Sequence, residues 1–163
     1  MTAKNHKELI VFSKELVNTE SLLEGLHCIS KNSGSIMKAE RCSIFIYDEH
    51  KNELWTTLAD GADKIIIPSD VGIVGDTLRL KKVILENEPY NNPNFLSDID
   101  MGTGYYTQNL LTAPIFNSKR HVVGVLELLN KENGFSREDS EFITFFSHYI
   151  SGFIELHLFE LAN

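Results

Sequence analysis

Glu127 is the first residue whose type and setting point to chemistry. It interrupts an otherwise apolar run, Val122-Val123-Gly124-Val125-Leu126-Glu127-Leu128-Leu129, and alternates with Val123, Val125 and Leu129. A carboxylate on such a face needs a hydrogen-bonding partner. It is either an outward-facing acid at a strand end or an acceptor for a ligand N–H or hydroxyl. A second pattern is Gly72-Ile73-Val74-Gly75, placed ahead of a helix through Leu78 and Leu80. Helix N-termini present free N–H groups and the positive end of a dipole, so this start suits an anion; paired glycines equally serve a tight turn. Phe45, Tyr47, Leu96, Tyr105 and Tyr106 offer apolar walls for a pocket, and Ser43, Asp60, Asp100, Thr103 and Thr107 offer polar contacts beside Glu127. The chain holds no Ser-His-Asp order, no His-Glu-x-x-His, no phosphate-binding loop and no helical pair of spaced carboxylates. No catalytic site is expected.

Composition narrows the partners. The 163 residues carry 15 Lys and Arg against 23 Asp and Glu, a formal net charge of −8. An acidic surface repels nucleic acid and anionic membranes, so neither is expected as a partner. Residues 83–118 contain no Lys or Arg but four acids, Glu86, Glu88, Asp98 and Asp100. A phosphate bound there must be met by backbone amides and Thr hydroxyls. The two cysteines, Cys28 and Cys42, are too few for a disulfide framework and lack metal-ligand spacing. Thiol redox chemistry would need a thiolate at the pocket, and no cysteine follows Cys42. Residues 51–120 contain no His for a haem. No window of the chain approaches the 18 consecutive apolar residues of a membrane span, and the polar start lacks a signal peptide's apolar stretch. The expected setting is cytoplasmic, with no metal or resident cofactor.

The elements that must position these residues follow from periodicity. Lys7 to Leu16 reads as a helix, and Ser21 with Glu24 opens a second that runs to Lys38. Cys42, Ile44 and Ile46 point one way and Ser43, Phe45 and Tyr47 the other, so this strand is covered on both faces. Leu54–Ala59 and Ile65–Ile67 are further strands. A long mixed segment follows, with the helix at Leu78, the apolar run Val83–Leu85, and a loop from Asn87 to Thr107. Asn109–Phe116 and His121–Leu129 form a hairpin, with Pro114 demoting its first arm towards an edge or a bulge. Ser136 and Asp139 start the last helix. Phe142, Phe145, Phe146, Tyr149, Ile150 and Phe153 mark one of its faces. Ile143, Ile154, Leu158 and Leu161 form a second stripe that faces a partner helix in a dimer or the first two helices of the same monomer. Strands joined by turns with helices at both ends give an α+β antiparallel sheet in a single domain, residues 1–163.

Several of these runs resemble a GAF domain: Arg41–Asp48, Gly72–Gly75, Val123–Lys131 and Gly134–Asp139. The likeness extends from about residue 8 to the end and is strongest to the cyclic-nucleotide-binding GAF domains of phosphodiesterases and cyclases. It implies a six-stranded antiparallel sheet with the terminal helices on one face and a ligand-pocket lid, about 87–107, on the other. Asn130, Lys131, Phe135 and Asp139 match that family's Asn-Lys…Phe…Asp-Glu signature, with Ser140 in place of the Glu. The resemblance pairs Lys131 with Asp139. It places Ser43, Asp60, Ile73, Val74, Leu96, Asp100, Thr103, Thr107 and Glu127 at ligand-contacting positions. Ala59 and Leu96 stand where aromatic residues would lie on the base. The implied function is a non-catalytic sensory module binding cyclic AMP or cyclic GMP, homodimeric through its terminal helices and coupled to an output domain. The alternative is a ligand-free dimerisation module.

Overall fold

The computed structural model describes residues 3–57 and 64–161. Ala59 and Asp60 lie outside them. Helices α1 (Ala3–Val17) and α2 (Leu22–Met37) lead into strand β1 (Ala39–Asp48). Then come β2 (Glu53–Thr57), β3 (Lys64–Pro68), α3 (Gly72–Leu80) and the short β4 (Ile84–Glu86). A single 3-10 turn at Pro89–Asn91 and helix α4 (Ser97–Thr103) precede β5 (Leu110–Phe116), β6 (Val122–Lys131) and the long α5 (Arg137–Leu161). The six strands form one sheet in the order β3-β2-β1-β6-β5-β4, and each neighbouring pair is antiparallel.

Local chemistry starts and stops these elements. The Ser21 hydroxyl accepts from the Glu24 amide at 3.2 Å, and Lys38 closes α2 in a left-handed conformation with φ 56°. At α5 the exchange is reciprocal. Asp139 N–H donates to Ser136 Oγ at 3.3 Å while Ser136 N–H donates to Asp139 Oδ2 at 2.8 Å, so two end amides are satisfied at once.

The sheet is buried on both faces. Ile44, Ile46, Leu111, Ala113, Ile115, Leu126 and Leu128 pack against α1, α2 and α5 around Phe12, Ile29, Phe146 and Ile150. On the opposite face Phe45, Leu54 and Val125 pack under Val74 of α3. A buried hydroxyl pair, Thr77 Oγ1 and Thr112 Oγ1 at 2.6 Å, fixes α3 to β5.

The structure settles the alternatives left open at Pro114 and in α5 and corrects the reading of the lid as a loop. β5 is an interior strand, yet Pro114 is tolerated because pairing with β4 stops at Thr112, leaving one side of β5 open at the proline; a register shift follows at Ile115/Phe116. The Asn87–Thr107 segment contains α4, whose seven residues include a Gly and are too few to show a helical period. Ile143 and Ile154 of the second α5 stripe are fully buried against α1 and α2, and Leu158 packs on the same core, so that stripe belongs to the monomer as far as Leu158.

Gly124 is required by close approach: a Cβ there would lie 2.5 Å from the Phe45 carbonyl oxygen. Gly124→Ala therefore pushes β6 off β1 and is expected to cost about 1–3 kcal/mol, read by urea denaturation.

Candidate functional site

The site is built between the sheet and the lid, the segment from Asn87 to Thr107. Its floor comes from β1 and β6, where Ser43 and Glu127 are register partners and share a face with Thr112 of β5. One wall is the start of α3. Gly72 adopts φ 71°, and a Cβ there would lie 2.9 Å from Leu96 Cδ1, so glycine both makes the turn and lets the lid close on the helix start. Val71 at the N-cap supplies no side-chain hydrogen bond. The first helical bond is Gly75 N–H to Val71 O at 3.2 Å; among the described residues nothing accepts from the amides of Gly72, Ile73 or Val74. These are the orphan donors of a helix start.

The lid forms the other wall. Asp100 is 7 % exposed and its carboxylate is fully engaged. Oδ2 accepts from Tyr90 Oη at 2.7 Å and from Thr107 N–H at 2.7 Å, and Oδ1 accepts from Thr107 Oγ1 at 3.0 Å. Donation to that carboxylate pushes the Tyr90 phenol up to about 12. Thr103 Oγ1 donates to Ile99 O at 2.9 Å. Tyr106 lies outside the cavity, stacked on Tyr90 at 5.0 Å. Tyr105 lines the cavity, with the Arg41 guanidinium 3.8 Å above its ring.

The lid is tied at its start to the β6–α5 turn and at its end to the last residues of β6. At its start Asn87 bonds the Phe135 backbone twice: Nδ2 donates to Phe135 O at 3.0 Å and Oδ1 accepts from Phe135 N–H at 2.9 Å. At its end Asn130 Nδ2 donates to Tyr105 Oη and to Tyr106 O, both at 2.9 Å, and Asn130 Oδ1 accepts from Gln108 N–H at 2.7 Å. Asn109 repeats the pattern with Lys131: Oδ1 accepts the Lys131 amide at 2.8 Å and Nδ2 donates to its carbonyl at 3.0 Å. Lys131 Nζ is in turn paired with the Asp139 carboxylate.

The cavity has a volume of about 1200 Å³, opens to solvent and continues past β1 to α2, where Cys28, Lys31 and Ser35 line it. It brings together Ser43, Ile73, Val74, Leu96, Asp100, Thr103, Thr107 and Glu127, eight of the nine ligand positions named from sequence, with Phe45 and Tyr105 as walls. Asp60 lies outside the described residues. Tyr47 packs beside Leu54 and Val74, and neither it nor Tyr106 lines the cavity. Sequence reasoning missed Ile65 and Ile67 of β3, Phe95, Ile99, Leu110 and Leu129. Alternation was the available signal for the first two, since Ile66 between them is exposed. It also missed two cations: Lys31 of α2 and Arg41 of β1 border the cavity, although the lid itself has none.

Glu127 has the most perturbed carboxyl. The side chain is half-buried, and its desolvation, with the Asp100 charge as a second cause, pushes it up to about 7. Among the described residues no group donates a hydrogen bond to it. Burial also pushes the Cys42 thiol up to about 12 and raises Cys28, so both stay protonated thiols at neutral pH. The described residues contain no cluster of His, Cys, Asp and Glu suited to a metal, and no helix long and apolar enough to cross a membrane.

A sheet roofed by a lid, with a free helix start opening on a cavity, makes a space suited to a small molecule. The GAF domain profile matches residues 21–154, and the chain belongs to the GAF domain family. A cGMP-specific 3',5'-cyclic phosphodiesterase of Drosophila mojavensis is 31 % identical, matching 83 % of this chain and 14 % of that protein. This chain thus spans about one seventh of that relative's length. In solved structures the same fold occurs in the GAF domain of an Acinetobacter phosphoenolpyruvate-protein phosphotransferase, with TM-score 0.81 and 20 % identity over 100 % of this chain and 99 % of that one. The corresponding Coxiella burnetii domain gives TM-score 0.83 and 17 % identity over 98 % of this chain and 97 % of that one.

The Lys131–Asp139 pair makes stability depend on pH. Burial alone would raise the Asp139 carboxyl, but hydrogen bonds from Lys131 and Ser136 outweigh it and hold the group below the usual carboxylate range. A depressed folded value stabilises the protein above the unfolded carboxyl range, and that contribution is lost as pH falls through the folded value. Asp139→Asn is expected to cost about 1–3 kcal/mol at neutral pH. Denaturant titrations of both proteins should begin to approach each other as pH falls below about 4 and meet only below the depressed folded value of Asp139.

Proposed function

We propose that this chain is a non-catalytic sensory GAF module of a cytoplasmic signalling protein and that a cyclic nucleotide, cyclic GMP or cyclic AMP, occupies its cavity. The observation that carries the reading is the pairing of an uncapped α3 start with polar acceptors across one cavity. The amides of Gly72, Ile73 and Val74 suit a singly charged cyclic phosphate, because orphan N–H groups and the helix dipole favour one negative charge. The hydroxyls of Ser43, Thr103 and Thr107 and the carboxylate of Glu127 suit a ribose and a base edge. The identity to cGMP-specific phosphodiesterases supports the same class of ligand. Arg41 and Lys31 add positive charge to a cavity whose lid carries none. Ligand binding works on an output domain or partner by favouring one of two states of the module.

Isothermal titration of the protein with each nucleotide tests this. Saturable heat with at least one of them is expected; no heat at about 1 mM ligand, where even −4 kcal/mol of binding would register, overturns the nucleotide assignment.

A second reading, dimerisation through the terminal helices, is favoured by one feature of α5. Phe145 (44 % exposed), Tyr149 (42 %), Gly152 and Leu156 (56 %) follow one another at alternating steps of four and three, the spacing of a coiled-coil seam. This seam replaces the buried Ile143–Ile154 stripe as the candidate interface. Sedimentation velocity should show a homodimer, and Leu156→Glu should return it to a monomer; a monomeric wild type at high concentration refutes the seam.

A further inference from the structure

The lid turns apolar side chains to solvent as well as to the cavity. Tyr106 is 63 % exposed and Met101 of α4 is 72 % exposed, and Tyr90 and Ile99 are exposed too. The Tyr90 and Tyr106 rings stack at 5.0 Å, and Phe95 meets Tyr90 edge-on at 5.1 Å. Tyr90 is fixed by its hydroxyl, which donates to Asp100. Tyr106 thus presents a ring backed on one side and open on the other. The charge around this face has one sign, since residues 83–118 hold four acids and no Lys or Arg. Two of the acids are spent: Asp100 is buried on its three donors, and Glu86 accepts from the Glu88 amide and from Asn92. The other two are exposed. Asp98 stands three residues before Met101 on α4 and has no hydrogen-bond or ion-pair partner among the described residues. Glu88 caps the 3-10 turn that carries Tyr90, with Asn91 on its carboxylate. Arg79 of α3 is already paired with Asp76, which also reaches Asn94 of the lid.

We propose that the outer face of the lid, with Tyr90, Tyr106 and Met101 at its centre and Asp98 and Glu88 at its margin, is a docking surface for a basic, arginine-bearing segment of a partner protein. Exposed apolar groups rimmed by polar ones mark interaction sites, and tyrosine and methionine are enriched in them. An arginine complements this face in two ways: its planar guanidinium stacks on the open Tyr106 ring, and its charge is drawn by the two free acids. The chain makes the same contact within itself, where Arg41 lies 3.8 Å above the Tyr105 ring at the end of the lid. An acidic segment would be repelled. Exposed charge pairs steer the encounter and add little affinity, so the tyrosines and Met101 carry the binding. The surface does not depend on what fills the cavity. Tyr90 nevertheless joins the two sides, because the carboxylate that its hydroxyl holds lines the cavity from within. A partner seated there rests on the element that closes over the site.

Amide chemical shifts of the whole chain, isotope-labelled and titrated with a synthetic peptide of Arg and Leu, test this. Shifts clustered at Tyr90 and residues 98–106 are expected, with affinity falling severalfold as salt rises from about 50 to about 500 mM. A Lys–Leu peptide of the same charge should bind about three- to tenfold more weakly, because an ammonium lacks the planar fork, and a Glu–Leu peptide should not bind. Tyr106→Ser leaves the net charge unchanged and should weaken the Arg–Leu peptide about three- to tenfold. Met101→Ser takes its place if that variant does not fold. Shifts scattered over the acidic surface, a variant that binds as tightly as the wild type, or no shifts at about 1 mM peptide overturns the docking surface. Self-association of the chain that Tyr106→Ser abolishes would make the face a contact between copies. Cosedimentation with phosphatidylcholine vesicles in place of peptide binding would make it a lipid contact. Either result also overturns the proposal.

Discussion

The end of β6 and the turn that follows it hold the lid at both ends, and the cavity depends on that attachment. A loop of some twenty residues would ordinarily wander, because ordering its backbone costs about 1–2 kcal/mol per residue. Here Asn87 clamps the first end to Phe135, while Asn130 and Asn109 clamp the second end to β6. Side-chain amides suit the task because each offers both donors and an acceptor, and so can replace a strand partner where the ladder stops. Gly134, with φ 81°, lets the turn approach Asn87: a Cβ there would lie 2.8 Å from Asn87 Oδ1. The Lys131–Asp139 pair then fastens the same turn to the first turn of α5. One short stretch thus joins the lid, the sheet and the longest helix.

Within that frame the cavity divides its polar groups into the satisfied and the unsatisfied. Asp100 spends its carboxylate on Tyr90 and Thr107, so its role in the structure is to shape the lid from inside. The α3 amides and the Glu127 carboxylate are left without partners among the described residues. They persist where an incoming molecule can complete them, and here they face the same cavity from two sides.

Much of this was legible before any coordinates. The reciprocal Ser136–Asp139 cap and the two-faced pattern of β1 follow from local spacing, and the resemblance to GAF domains put Ser43, Ile73, Val74, Leu96, Thr107 and Glu127 around one pocket. Other features were hidden for physical reasons. Helix α4 is too short to show a period. Tyr47 and Tyr106 have the right residue type but take other partners, one in the apolar cluster beneath α3 and the other stacked on Tyr90. The Asn87–Phe135 clamp joins residues 48 apart through a side chain that a sequence reads only as a loop asparagine.

The sequence by itself determined the elements, the two apolar faces of the sheet and the family, because periodicity, capping and turn chemistry act over a few neighbouring residues. Tertiary structure decided which polar groups are spent and which are left free. Whether Asp100 faces a ligand or Thr107, whether Arg41 reaches the lid's Tyr105, and whether Glu127 is left in a cavity beside another acid depend on elements far apart in the chain. Charge, burial and hydrogen-bond supply at a site are sums over all of them, so they exist only once the lid has closed on the sheet.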